Sequence, residues 1–134
     1  MSAIIEKFLL NIKPREIIDV TSKICNLVNS LDIDNAFLNI DSNSQECAIA
    51  TIDYNVFQNE DIYSIINSIL EPKIDINKEY NPQIAAYIKA EIMGRNKNYT
   101  IISGRLQIPE KQKIILTNFS HNMIQTDAII TIVN

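Results

Sequence analysis

The chain has two glycines, Gly94 and Gly104, and both lie in the stretch 81–119, NPQIAAYIKAEIMGRNKNYTIISGRLQIPEKQKIILTNF. Backbone that needs positive φ therefore has few cheap positions, and these two mark where elements must end or turn. Asn81 offers a capping oxygen, and Pro82 follows at the first helical position, where its missing N–H costs nothing. Gly94 stands where a helix commonly ends in a left-handed residue. The spacing predicts a helix over 82–93. Two extended runs follow, 99–108 and 113–119, joined by the polar turn Pro109-Glu110-Lys111-Gln112. The stretch reads as a helix feeding a hairpin.

That helix carries two apolar stripes. Ile84, Ala85, Ile88 and Ile92 form one, and Ala86, Ala90 and Met93 form another on the opposite side. Tyr87 and Glu91 occupy one flank and Lys89 the other. A helix apolar on two faces is covered on two sides. The second cover is either another part of this chain or a neighbouring subunit.

Upstream, residues 4–12 read as a strand and a turn at Lys13-Pro14-Arg15 leads to a short strand over 16–20. Thr21 is placed to cap a helix with Ile24, Leu27, Val28 and Leu31 at the 3.6-residue period. Residues 35–41 alternate, with Ala36, Leu38 and Ile40 on the better-buried face. Asp41-Ser42-Asn43-Ser44 is a loop by composition, and residues 47–54 form a strand expected to pair with the one before it. A second helix is predicted from Asn59, with Glu60 and Asp61 in its first turn and Pro72 at its end. Residues 73–80 are ambiguous, and 127–133 close the chain as a strand.

With 134 residues, the chain suffices for one domain with one core. A net charge of −4 leaves no electrostatic footprint for duplex nucleic acid or an anionic membrane. The start, MSAIIEKFLL, lacks the basic region of a signal peptide, and no apolar run nears the ~20 residues of a bilayer span. The chain is expected to be soluble and cytoplasmic. Cys25 and Cys47 stand apart with no CxxC spacing, and are predicted to be buried free thiols. Without Trp, and with few other aromatics, a base-stacking platform is not expected.

Ile88-Lys89-Ala90 with Gly94, then Gly104-Arg105-Leu106, Gln112 and Ile114 at these spacings resemble the YjbQ-like family. Asp19-Val20-Thr21 and Thr51-Ile52-Asp53-Tyr54-Asn55 fit it more loosely. The resemblance implies an α+β fold, an antiparallel, jelly-roll-like β-sandwich with two or three helices. It also implies a homotrimer, with histidines gathered at a metal or anion pocket. Some members of the family have a secondary thiamine-phosphate synthase activity. Carried over position by position, the family's histidines fall on Gln45, Glu79 and Tyr87. An amide, a phenol and one carboxylate do not replace three neutral imidazoles as ligands for a zinc-class ion. His121, the sole histidine, lies in the turn-like run Ser120-His121-Asn122, where the family has Asp-Gly-Pro-Arg.

Lys89 and Arg105 are retained from the family pattern and suit phosphate or carboxylate. The candidate anion pocket is therefore Lys89, Arg105, Tyr87, Glu79 and Gln112. The competing assignment makes Lys89 a solvated flank and pairs Arg105 with a carboxylate such as Glu91. Asp53 and Glu79 are carboxylates without a sequence signal for acid or base roles. There is no phosphate-cradling glycine loop, nucleotide fingerprint or Ser/His/Asp set.

Two readings of function follow. One is a divergent family member without metal or cofactor, acting as an oligomeric binding or structural subunit, a homotrimer or partnered with a paralogue. The other is an enzyme with a remodelled pocket acting on a small phosphate-bearing metabolite, as a transferase or hydrolase.

Overall fold

The computed structural model describes residues 2–53, 61–74 and 81–134. Among the described residues, eight strands form two antiparallel sheets. The larger has the order β1 (Ala3–Ile12), β8 (Ile124–Val133), β3 (Ala36–Ser42), β5 (Asn96–Ile102) and β6 (Arg105–Leu106). The smaller has the order β2 (Ile17–Asp19), β7 (Gln112–Asn118) and β4 (Cys47–Asp53). The main core lies between them: Leu38, Ile40, Ile101 and Ile130 from the large sheet meet Ile49, Ile114 and Leu116 from the small one. The fold is thus an α+β antiparallel sandwich.

Period-2 alternation decides what the large sheet buries. Residues 36, 38, 40 and 42 of β3 point inward, as do 126, 128, 130 and 132 of β8. Cross-strand partners share a face, so Phe37, paired with Val133 and Thr100, looks outward and is 71% exposed. Ile5, Leu9 and Ile102 lie exposed on that same outer face. Asn39, Asn96 and Asn98 are joined across it by side-chain hydrogen bonds.

Among the described residues, three α-helices pack on the sheets. Helix α1 (Thr21–Ser30) seats Ile24 and Val28 in the main core. Helix α2 (Ile62–Leu70), extended by a 3₁₀ turn over Glu71–Lys73, packs with α3 (Pro82–Met93) over the outer side of the small sheet. A second core of Ala48, Tyr63, Leu70, Ala86, Ala90 and Phe119 fills that layer. Among the described residues, no helix is long and apolar enough to cross a membrane.

Several expectations need correction. The strand over 99–108 is broken: β5 ends at Ile102, and Ser103 and Gly104 take φ of 52° and 77° before β6. Positive φ at both central residues is the two-residue hairpin turn that matches strand twist. Gly104 N–H donates to Asp34 O, and Asn35 Oδ1 accepts from Ser103 N–H, fixing the turn. The expected hairpin of 99–108 with 113–119 does not form, because β5 and β7 lie in different sheets.

Nor does β4 pair with β3. It pairs with β7 in full register, from Cys47 opposite Asn118 to Asp53 opposite Gln112. The loop between β3 and β4 crosses from one sheet to the other, and β3 runs on through Ser42.

Thr21 is not the cap of α1. It is the first helical residue, and Asp19 Oδ1 accepts from both its N–H and its hydroxyl. The Thr21 hydroxyl oxygen in turn accepts from Ile114 N–H, at 2.8 Å. The predicted start of α2 at Asn59 lies outside the described residues; Asp61 caps the helix by accepting from Ser64 N–H. Both cysteines are free, but Cys25 is only half-buried, while Cys47 is fully buried.

Candidate functional site

Helix α3 positions the side chains singled out above. Its start is as the sequence indicates: Asn81 Oδ1 accepts from Gln83 N–H at 2.9 Å, and Pro82 follows. Its end is Gly94 at φ 106°, where an added Cβ would meet Lys97 Nζ at 2.9 Å. The carbonyl of Gly94 accepts from Ile49 N–H, which pins the helix end to β4. Of the two stripes, the small-residue one faces the sheet, with Ala86 and Ala90 buried beside Ala48. Small side chains allow that close approach. The other stripe stays on the outside, with Ile84 47% and Ile92 44% exposed.

The flanks of α3 line two separate clefts. On one side, Gln45, Tyr87, Ile88, Glu91 and Arg95 surround about 300 Å³. Gln45 and Tyr87, two positions onto which the sequence resemblance carries histidines, thus share one cleft. The Tyr87 hydroxyl accepts from Gln83 Nε2 at 2.7 Å, and Arg95 Nη2 lies 3.1 Å from Glu91 Oε2. Tyr87 is thus bonded to Gln83, and Glu91 to Arg95. Among the described residues, no three His, Cys, Asp or Glu side chains come close enough to hold a metal ion. The donors in this cleft do not fit a zinc-class ion.

On the other side, Arg15, Tyr63, Asn67, Glu71, Lys89 and His121 border a cleft of about 340 Å³. Lys89 Nζ lies 2.7 Å from Glu71 Oε1. That hydrogen bond is the main reason the Glu71 carboxyl is held below its usual value, with desolvation opposing it. The Arg15 guanidinium sits 5.1 Å from the Tyr63 ring centroid. Burial pushes the Tyr63 phenol up, and the Arg15 charge partly offsets this.

The proposed pocket residues are dispersed. Tyr87 and Lys89 line opposite flanks of α3. Arg105 is exposed in the short strand β6 at the edge of the large sheet, paired with Ile102. Gln112 opens β7 opposite Asp53, and its N–H closes the turn by donating to Pro109 O. Glu79 lies outside the described residues. Glu91 pairs with Arg95, four residues on. Arg15, Tyr63 and Glu71, which gather about Lys89, were not among the residues singled out from sequence. Their only local signal is Pro14-Arg15, a turn in which Arg15 takes φ 64°.

The sequence profile of the UPF0047 protein YjbQ-like family matches residues 6–134. No curated protein matches the chain. Among solved structures, the chain resembles a YbjQ-like protein of unknown function from Sulfolobus solfataricus P2. The TM-score is 0.83 at 17% identity, covering 99% of this chain and 98% of that one. A second likeness is to an uncharacterised conserved protein of the yjbq/upf0047 family from Clostridium acetobutylicum. There the TM-score is 0.75 at 20% identity, with 96% and 99% covered. A hypothetical protein from Aeropyrum pernix K1 gives 0.75 at 18% identity, with 94% and 96% covered.

Proposed function

Because the chain belongs to the UPF0047 protein YjbQ-like family, we propose that it is a divergent member without the family's metal-dependent chemistry, working as an oligomeric binding or structural subunit. The observation that carries this reading is the content of the cleft beside Tyr87. An amide and a phenol stand at two histidine positions, and the remaining charges there are consumed in the Arg95–Glu91 pair. Neither group offers the deprotonated or imidazole donor that a zinc-class ion requires.

The oligomeric part rests on exposed apolar surface. Ile5, Leu9, Phe37 and Ile102 share the outer face of the large sheet, and Ile84 and Ile92 lie on the outer stripe of α3. Large apolar side chains grouped this way mark protein contacts. Further copies of this chain, or a paralogous subunit, would cover them.

Elemental analysis and light scattering test the two parts separately. The purified protein should carry no stoichiometric zinc-class ion and should scatter as three times 15.3 kDa. A full metal complement would overturn the loss of metal chemistry, and a clean monomer would overturn the assembly.

A further inference from the structure

We propose that the cleft between α2, α3 and the β1–β2 turn binds a small phosphate monoester, held by Arg15, Lys89 and His121, with Asn67 accepting from a hydroxyl or amino group of the ligand. This adds a ligand to the binding-subunit reading and rests on it only in being binding without turnover. Metal content tests that reading and phosphate affinity tests this one, so each can fail alone.

The first observation is Arg15 itself. Lys13 to Glu16 form a turn closed by Glu16 N–H donating to Lys13 O, with Pro14 and Arg15 at its centre. The second central residue has positive φ, a place that favours glycine, yet a long side chain stands there at φ 64°. The strained backbone presents the guanidinium over Tyr63, with Nη2 donating to Ser64 Oγ at 3.4 Å. Among the described residues the ion pairs are Lys89–Glu71 and Arg95–Glu91, and Arg15 is in neither. Asp61 lies in its field, but Ser64 already gives that carboxylate an N–H and an O–H. Most of the Arg15 donors remain for a ligand.

The second observation is the arrangement around Lys89. Its side chain is 12% exposed, and Glu71 Oε1 takes one of its three donors. The same oxygen accepts from Asn67 Nδ2, which fixes which way the Asn67 amide points. Asn67 Oδ1 is then buried and accepts nothing. A buried acceptor without a partner is the exception in folded proteins, and a ligand donor would satisfy it.

Chemistry selects the ligand class. Of the charged groups lining the cleft, Arg15 and Lys89 outweigh Glu71 by one positive charge, and the His121 ring adds an N–H donor. A planar carboxylate needs only one arginine fork. Donors arriving on a turn, a helix and a loop instead suit a tetrahedral oxyanion approached from several sides. A cleft of about 340 Å³ is at the lower end for small metabolites.

Titration with glycerol phosphate and with inorganic phosphate, followed by amide NMR shifts, tests the proposal on the whole chain. Glycerol phosphate should bind saturably and more tightly than inorganic phosphate. Arg15→Gly should weaken it at least about tenfold while leaving melting temperature unchanged or higher, because glycine accepts the positive φ. Lys89→Met should weaken it similarly, Asn67→Leu should erase the advantage of glycerol phosphate, and Arg105→Ala should change nothing. Absence of saturable shifts at millimolar ligand would overturn the proposal. So would undiminished binding by Arg15→Gly, which does not depend on Lys89→Met folding well.

Discussion

Lys89 Nζ and Glu71 Oε1 lie 2.7 Å apart, a contact that ties the middle of α3 to the turn that ends α2. The Glu71 side chain is half-exposed, so solvent screens the pair and its contribution is no more than about 1 kcal/mol. The carboxyl is held below its ordinary value, chiefly by the hydrogen bond from Lys89. A depressed carboxylate stabilises the fold above its unfolded pKa and loses that contribution as pH falls through the folded one. Glu71→Gln should therefore lower the urea midpoint slightly at neutral pH. The gap from the unsubstituted protein should close once pH drops below the carboxylate range of about 4. A gap that persists in acid would mean the loss comes from packing.

Asn118 carries a larger expected effect. Buried at the end of β7, its Nδ2 donates to Ile12 O and Asn122 O, each at 2.9 Å, and its Oδ1 accepts from Ser120 N–H at 2.8 Å. One side chain thus ties the end of β1 to the loop that carries His121. Asn118→Ala strands those groups and should cost about 2 kcal/mol or more, by chemical denaturation. Asn118→Asp sets a carboxylate against two carbonyls, which raises its folded pKa. Its stability should be best below the unfolded pKa and fall as pH rises, opposite in sign to the Glu71 effect.

The two thiols should separate cleanly by alkylation. Burial pushes the Cys47 thiol up to about 11, with a hydrogen bond involving Ser44 only partly offsetting it. Cys25 is also raised by burial, but it is half-buried and Lys113 draws it back. The thiolate is the reactive form, so iodoacetamide at mildly alkaline pH should label Cys25 and leave Cys47 intact until the chain unfolds. Peptide mass mapping reads the order, and equal labelling of both would contradict the burial of β4.

What the sequence made legible was local. The Asn81 cap, Pro82 and Gly94 fixed α3 to the residue, since capping chemistry acts within one turn. Strand partners were not legible, because alternation reports a buried face without naming the sheet across from it. One clue was available in β4: Cys47, Ala48 and Ile49 run apolar without alternation, the mark of a strand covered on both sides. Ser103-Gly104 was likewise a turn signal inside what read as one long strand. The cationic cleft was hidden for a different reason. Arg15, Glu71 and Lys89 come from three separated segments, and no periodicity links them. Lys89 carried a family signal, whereas its neighbours carried none.

The proposed absence of metal chemistry makes a gain-of-binding prediction. Gln45 and Tyr87 line one cleft, so histidines at both would bring two imidazoles to it. Tyr87→His also removes the acceptor for Gln83 Nε2, which frees that side of the cleft. Two imidazoles alone bind zinc weakly, and an open site needs three protein ligands; the sequence resemblance carries the third histidine onto position 79, outside the described residues. The triple variant Gln45→His, Glu79→His, Tyr87→His should retain stoichiometric zinc in equilibrium dialysis, where the unsubstituted chain and each single variant do not. Zinc held equally by the unsubstituted chain would show that donors remain elsewhere. A triple variant that folds and holds none would show that position 79 does not reach the cleft shared by Gln45 and Tyr87.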